Sequence, residues 1–208
     1  MVELTTLLER SAALHNHLCP RQVLGVRMGL YAGLLFDLML PQTDKRLYTF
    51  IETDGCFADG IAVASGCALG HRTLRLIDYG KVAATFVDTE TERALRIVPH
   101  SLARARAAQM LPERETHWRA QLEAYQIMSD IDLFQVEQVA LNLSLTKLIS
   151  RPGVRVNCAL CGEEILNERE VVLAGQTLCQ SCAEESYWSP ATIHLQSMLR
   201  ECGESQVR

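Results

Sequence analysis

What the sequence lacks narrows it first. It has no excess of positive charge: 20 Lys and Arg stand against 25 Asp and Glu, for a net charge of -5. A general nucleic-acid binder carries the opposite balance, so direct duplex binding is not expected, although Arg93, Arg96, Arg104 and Arg106 form a local basic stretch. It has no long uncharged apolar run. The longest, Val23 to Leu40, is broken by Arg27 and Asp37 and diluted by three glycines, which excludes a membrane span of roughly 20 apolar residues. Glu3, Glu9 and Arg10 interrupt the first residues and exclude a secretory leader. A cytoplasmic, non-membrane protein is the expectation. There is no internal repeat, low-complexity tract, Ser/His/Asp pattern, phosphate-binding loop or pterin-binding signature.

Cysteine is what the chain has in quantity, eight in 208 residues. In a reducing compartment metal binding or thiol chemistry is the better prior than disulfides. Four form two pairs, Cys158-x₂-Cys161 and Cys179-x₂-Cys182. Each pair can present two thiolates from one tight turn, and two pairs complete the tetrahedral sulfur shell of structural Zn²⁺. Iron–sulfur, rubredoxin-like iron and unmetallated redox pairs are the other options. With all four places filled, no coordination position is left for a substrate. Gly162 suits a left-handed knuckle, and Gly175 lies in a small hairpin between Val171–Leu173 and Thr177–Leu178. A helical turn is expected at Cys182–Glu185.

The remaining chemistry lies in the first third: His15, His17, Cys19, Cys56, Asp59, Cys67 and His71. His15, His17 and Cys19 have period two, so an extended segment ahead of Pro20 would point them the same way. Cys19 and Cys56 precede or open helices, and a helix N-terminus favours thiolate. Cys67, between Gly66 and Ala68, reads as well as a packing cysteine, and His71 as a surface residue. Cys202 reads as incidental.

Periodicity predicts helices over Leu4 to about His15, Pro20–Leu38, Cys56–Ser65, Pro99–Met110 and Glu113–Met128. The last would bury Trp118, Leu122 and Tyr125. Strands are predicted at Arg46–Thr53, Thr73–Asp78, Lys81–Asp88, Arg93–Val98 and Leu141–Thr146. Thr89–Glu92 would close a hairpin, and Gly25, Gly29 and Gly33 would form a smooth helix stripe. Without a regular βαβ period the class is α+β: a mixed core domain over 1–150, a small treble-clef-like zinc finger over 151–188 opened by the linker Arg151-Pro152-Gly153, and a C-terminal helix and tail over 189–208.

Three ordered segments, His15–Gly29 (HNHLCPRQVLGVRMG), Glu52–Gly70 (ETDGCFADGIAVASGCALG) and Leu74–Lys81 (LRLIDYGK), resemble the FmdE family of formylmethanofuran dehydrogenase components. The cysteine pairs are similar to DksA/TraR-type zinc fingers found at the end of many members. The resemblance covers about residues 10 to 185. It implies an α+β core followed by the finger, a homodimer, and a core site carried by His17, Cys19 and Cys56, with His15, Asp59, Cys67 and Lys81 in support. That site would be catalytic, or would hold a second metal ion through His17, Cys19 and Cys56 beside the structural zinc on Cys158, Cys161, Cys179 and Cys182. Asn16 stands where the family has Gly, and Arg21 where Gly follows Cys-Pro. Two functions stay open: a redox or metal-handling accessory subunit, or a non-enzymatic dimeric adaptor whose finger contacts a protein such as a dehydrogenase subunit.

Overall fold

The structure is a computed structural model that describes residues 2–145, 149 and 153–189. Its contacts divide the chain into Met1–Leu145 and Thr146–Arg208.

In the first unit, α1 (Leu4–His15) and α2 (Pro20–Phe36) precede β1 (Leu47–Ile51), α3 (Cys56–Ser65) and β2 (Leu74–Leu76). The antiparallel strands β3 (Ala84–Asp88) and β4 (Ala94–Pro99) follow, then α4 (Ala103–Met110), α5 (His117–Ile127), α6 (Asp130–Leu133) and β5 (Phe134–Val139). The sheet order is β2-β1-β3-β4-β5, antiparallel except where α3 crosses from β1 to its parallel neighbour β2. The alternation of a pleated strand sends Leu47, Ile51, Ala84, Phe86, Leu95 and Ile97 into the core with Leu7, Val23, Val26, Phe57 and Ile61 of the helices. The opposite face carries Tyr48, Phe50, Thr85 and Arg96. Among the described residues no helix is long and apolar enough to cross a membrane.

The glycine stripe is the contact that organises the unit. A Cβ on Gly25 would lie 2.4 Å from the Phe57 carbonyl oxygen, and one on Gly60 2.5 Å from that of Gln22. One turn on, a Cβ on Gly29 would lie 2.6 Å from Cβ of Ala64. Pairing 25 with 60 and 29 with 64 means that α2 and α3 run parallel, backbone against backbone, with their N-termini at the same end. Arg27, the charge that interrupts the apolar run, donates to the carbonyls of Tyr125 and Met128 and to Asp130, each at 2.7 Å. It thereby satisfies the open carbonyls at the end of α5.

The arginines of the basic stretch are engaged internally. Arg93 donates to the Leu35 carbonyl and lies over the Phe36 ring, Arg96 is paired with Glu52, Arg106 donates to the Asp132 carbonyl, and Arg104 lies beside Tyr125. Arg46 pairs with nearly buried Asp88 through two 3.0 Å bonds, which hold the Asp88 carboxyl down at about 2.

Several sequence expectations move. The strand expected at Leu141–Thr146 is absent from Leu141–Ser144, and Thr146 lies outside the described residues; the last strand described in the first unit is β5, from Phe134. FQVEQV at the sheet edge is exposed through its middle, so no apolar alternation marks it. Pro99 closes β4 instead of opening a helix, and α5 starts at His117, after Thr116 caps it by accepting from the Arg119 N–H. Trp118 is half-exposed; Ala120, Ala124 and Tyr125 form the buried face. The C-terminal helix and Cys202 fall outside the described residues.

In the second unit β6 (Arg155–Asn157) pairs with β7 (Glu164–Leu166), and β8 (Val171–Leu173) with β9 (Gln176–Leu178). The helical turn α7 (Gln180–Ala183) follows, two residues earlier than expected. Ala174 and Gly175 both have positive φ, as the two-residue hairpin between β8 and β9 demands.

Candidate metal centres

The finger assembles its four thiols from local turns. Cys158 follows β6, its N–H donates to the Glu163 carbonyl, and left-handed Gly162 returns its own N–H to the Cys158 carbonyl at 2.9 Å. Cys179 caps α7 and Cys182 lies within it. The Ala159 N–H donates to the Thr177 carbonyl at 2.8 Å and ties the two hairpins together. Under them Cys158, Ile165 and Leu178 make a small core.

All four sulfurs lie within 4.8 Å of one another, and Cys161 and Cys179 are 3.8 Å apart. A Zn–S bond of ~2.3 Å in a tetrahedron gives sulfur–sulfur edges of about 3.8 Å, so the donor set fits Zn²⁺. The thiols do not titrate alike. Backbone N–H groups of Cys161 and Cys179 pull Cys158 down to about 6, while hydrogen bonding to Cys179, with burial, pushes Cys182 up to about 12. Four sulfurs this close resist ionising together, and a dication removes the conflict.

The core site is built by the parallel helices. Cys19 is the N-cap of α2 and Cys56 the first residue of α3. Because the crossing sets both helix starts side by side, Cys19 lies close enough to Cys56 to perturb its thiol. Cys19 is buried and Cys56 half-buried. The thiolate expected of Cys56 from its helix start is opposed: burial first, then the neighbouring Cys19, push its thiol above the ordinary value and outweigh its backbone hydrogen bond.

His15 ends α1, and left-handed Asn16 reverses the chain after it. Asn is among the few non-glycine residues that tolerate this conformation, which explains why it can stand in the family's glycine position. The cap, rather than an extended run, brings the His15 and His17 rings edge to face with centroids 5.9 Å apart. His15 Nε2 pairs with Asp59 Oδ2, from the first turn of α3. His17 Nδ1 donates to the His15 carbonyl at 2.9 Å. Each histidine thus has one ring nitrogen fixed and one left over, the arrangement typical of oriented imidazole ligands.

One residue of this site carries no obvious mark in the sequence. Fully buried Gln22 accepts the Cys19 N–H and donates to the Ser11 carbonyl, both at 2.8 Å, locking α1 to the start of α2. The signal that could have found it is the N-cap-to-N3 spacing of a capping box, with Cys19 in the place of Ser or Thr.

Lys81 and Cys67 are positioned separately. The N–H groups of Tyr79 and Lys81 both donate to the Glu52 carbonyl, four residues before Cys56, and the exposed Lys81 ammonium lies 5.8 Å from the centre of the Tyr79 ring. Cys67 is buried, accepts from Thr49 and donates to the Leu47 carbonyl, both at 3.3 Å, and burial pushes its thiol up. His71 is exposed. Among the described residues the four finger cysteines are the group whose ligand atoms already converge on one ion. The core brings its groups together in pairs.

An α+β core followed by a four-cysteine zinc finger defines the class. Residues 14–135, more than half of the chain, match the family model described as FmdE, molybdenum formylmethanofuran dehydrogenase operon, and 152–187 match the prokaryotic DksA/TraR C4-type zinc finger. The chain therefore belongs to the FmdE family. A probable S-adenosyl-L-methionine-binding protein of Archaeoglobus fulgidus is 36% identical over 99 residues, 46% of this chain; the match spans only 27% of that relative. The crystal structure of a tungsten formylmethanofuran dehydrogenase FmdE-like protein from Syntrophus aciditrophicus superposes with a TM-score of 0.57, covering 90% of this chain and 96% of that one. At 19% identity that likeness concerns the fold.

Proposed function

We propose that this metal-binding FmdE-family chain is a metal-handling or redox accessory protein. Its working groups are Cys19 and Cys56 in a core of residues 1–150, and the finger of 151–188 is structural. The observation that carries the proposal is the placement of Cys19 and Cys56 at the adjacent starts of two parallel helices, flanked by two histidines that each have one ring nitrogen held. Two cysteine sulfurs and an imidazole suit a soft transition-metal ion. His17 would be the third ligand, with His15 as a further ligand or proton carrier and Asp59 orienting it. The positive ends of both helices offset the charge of the thiolates that a metal would create. Lys81 would hold an anionic group near the start of α3.

Elemental analysis of anaerobically purified full-length protein tests this. Wild type should hold zinc in the finger plus a second metal ion, and a Cys19→Ser, Cys56→Ser double variant should keep the first and lose the second. Equal metal content in both proteins sinks the proposal.

A second reading, a dimeric adaptor, draws on the finger's surface. Leu160, Val172 and Trp188 are exposed there, among six glutamates and two arginines in residues 153–189. That charge opposes nucleic acid and suits a protein partner. Co-purification of a stoichiometric partner that a Val172→Glu variant loses would favour it.

A further inference from the structure

We propose that the first unit also holds a binding site for a small apolar molecule bearing one carboxylate, in a cavity on the sheet face opposite the helices. This goes beyond the cysteine and histidine site and uses none of its side chains.

The cavity measures about 450 Å³, within the size range of small-molecule sites. Its floor is the sheet itself: Phe50 of β1, Thr85 of β3 and Arg96 of β4 lie side by side in the register. Glu52, next along that face of β1, completes it. Arg96 reaches across Thr85 of β3 and Ala83 just before it, both small enough to pass under it. Its Nε and Nη2 then meet the two Glu52 oxygens at 2.6 and 2.7 Å. The Glu52 side chain is only 9% exposed, so the floor contains a fully formed ion pair whose carboxylate is nearly buried.

The walls are apolar. Ile77 and Tyr79 form one side, Leu141 and Leu143 another. The Ile77 N–H donates to the Ile51 carbonyl at 2.9 Å and that of Tyr79 to the Glu52 carbonyl at 3.0 Å, so this wall is pinned to β1. Tyr79 is 65% exposed and Leu143 50%. An occupant would cover this apolar surface at a gain of about 25 cal/mol per Å².

Charge selects the ligand. Glu52 and Arg96 cancel. An amine would have to break that bidentate pair to reach Glu52, against the strength of a forked guanidinium–carboxylate contact. A carboxylate needs no such exchange: Nη1 of Arg96, the Thr85 hydroxyl and the Asn142 amide are its donors. Glu137, the cross-strand neighbour of Arg96, is exposed, where solvent screens it.

The test is a ligand-observed ¹⁹F NMR titration of the zinc-loaded full chain with 4-(trifluoromethyl)phenylacetate and with its uncharged amide. The carboxylate should bind saturably, and the amide about tenfold more weakly. Leu143→Glu, at a half-exposed position that leaves folding intact, should weaken the carboxylate about tenfold, and Thr85→Val should weaken it measurably. Cys19→Ser, Cys56→Ser should leave this binding unchanged, which separates the two sites. Absence of saturable binding up to about 10 mM, equal binding of the amide, or indifference to Leu143→Glu would each overturn the proposal.

Discussion

The finger draws four sulfurs within 4.8 Å of one another from two short turns, 158–161 and 179–182, on strands of three residues. The core brings two sulfurs together from residues 37 apart, at the ends of helices of 17 and 10 residues. In the finger the ion organises the protein, because its cluster of three buried residues supplies little stabilisation without metal. In the core the protein organises the site: a 27-residue hydrophobic cluster and a glycine crossing fix where the thiols meet, with or without an ion. The first kind of centre is written in local spacing and the second in packing.

Zinc removal should break this contrast most sharply. Structural zinc contributes on the order of 10 kcal/mol, so a strong chelator should abolish hydrogen-exchange protection in 154–187 while strands β1, β3 and β4 stay protected. Equal loss in both units would mean that the finger is no more metal-dependent than the core.

Overpacking the crossing should do the reverse. A leucine at Gly60 meets α2 backbone within 3 Å, so Gly60→Leu should cost about 3 kcal/mol in chemical denaturation and separate Cys19 from Cys56, with zinc content intact. Wild-type stability in that variant would remove the crossing as the organiser of the site.

Acid distinguishes the core's own electrostatics. Asp88 titrates at about 2 in the folded chain, below its ordinary 3.8, because Arg46 holds it ionised. A depressed carboxyl stabilises the fold above its unfolded value, and that stabilisation is lost as pH falls from about 4 towards 2, amounting to about 2 kcal/mol. Asp88→Asn should lower stability at pH 7 by a similar amount and flatten the acid limb of the core's unfolding curve. A limb unchanged by the substitution would assign it to other carboxyls.

The smallest effect belongs to Asp59→Asn. If Asp59 orients His15 for a metal, the variant should weaken core metal binding about tenfold, near 1.4 kcal/mol, without changing finger zinc or thermal stability. Competition with a metallochromic chelator reads it.

The site was legible to the extent that its geometry is local. The CxxC pairs needed only spacing, and Cys19 and Cys56 were recognisable as helix starts because Pro20 and Gly55 mark them. Gln22 was missed because its role depends on a carbonyl of another helix. Trp118 was misplaced because periodicity marks a helical face but not whether that face is covered. β5 was missed because an edge strand exposed through its middle carries no alternation.

By itself the sequence determined the finger's ligands, the family, the α+β class and the glycine stripe, since each follows from residues close together or from ordered motifs. Only the tertiary structure decided that α2 and α3 run parallel, that the Cys56 thiol is raised by burial and by Cys19, and that Arg96 is bound to Glu52 over a cavity. Those outcomes depend on which surfaces exclude water together, a property of the packed chain that no local spacing encodes.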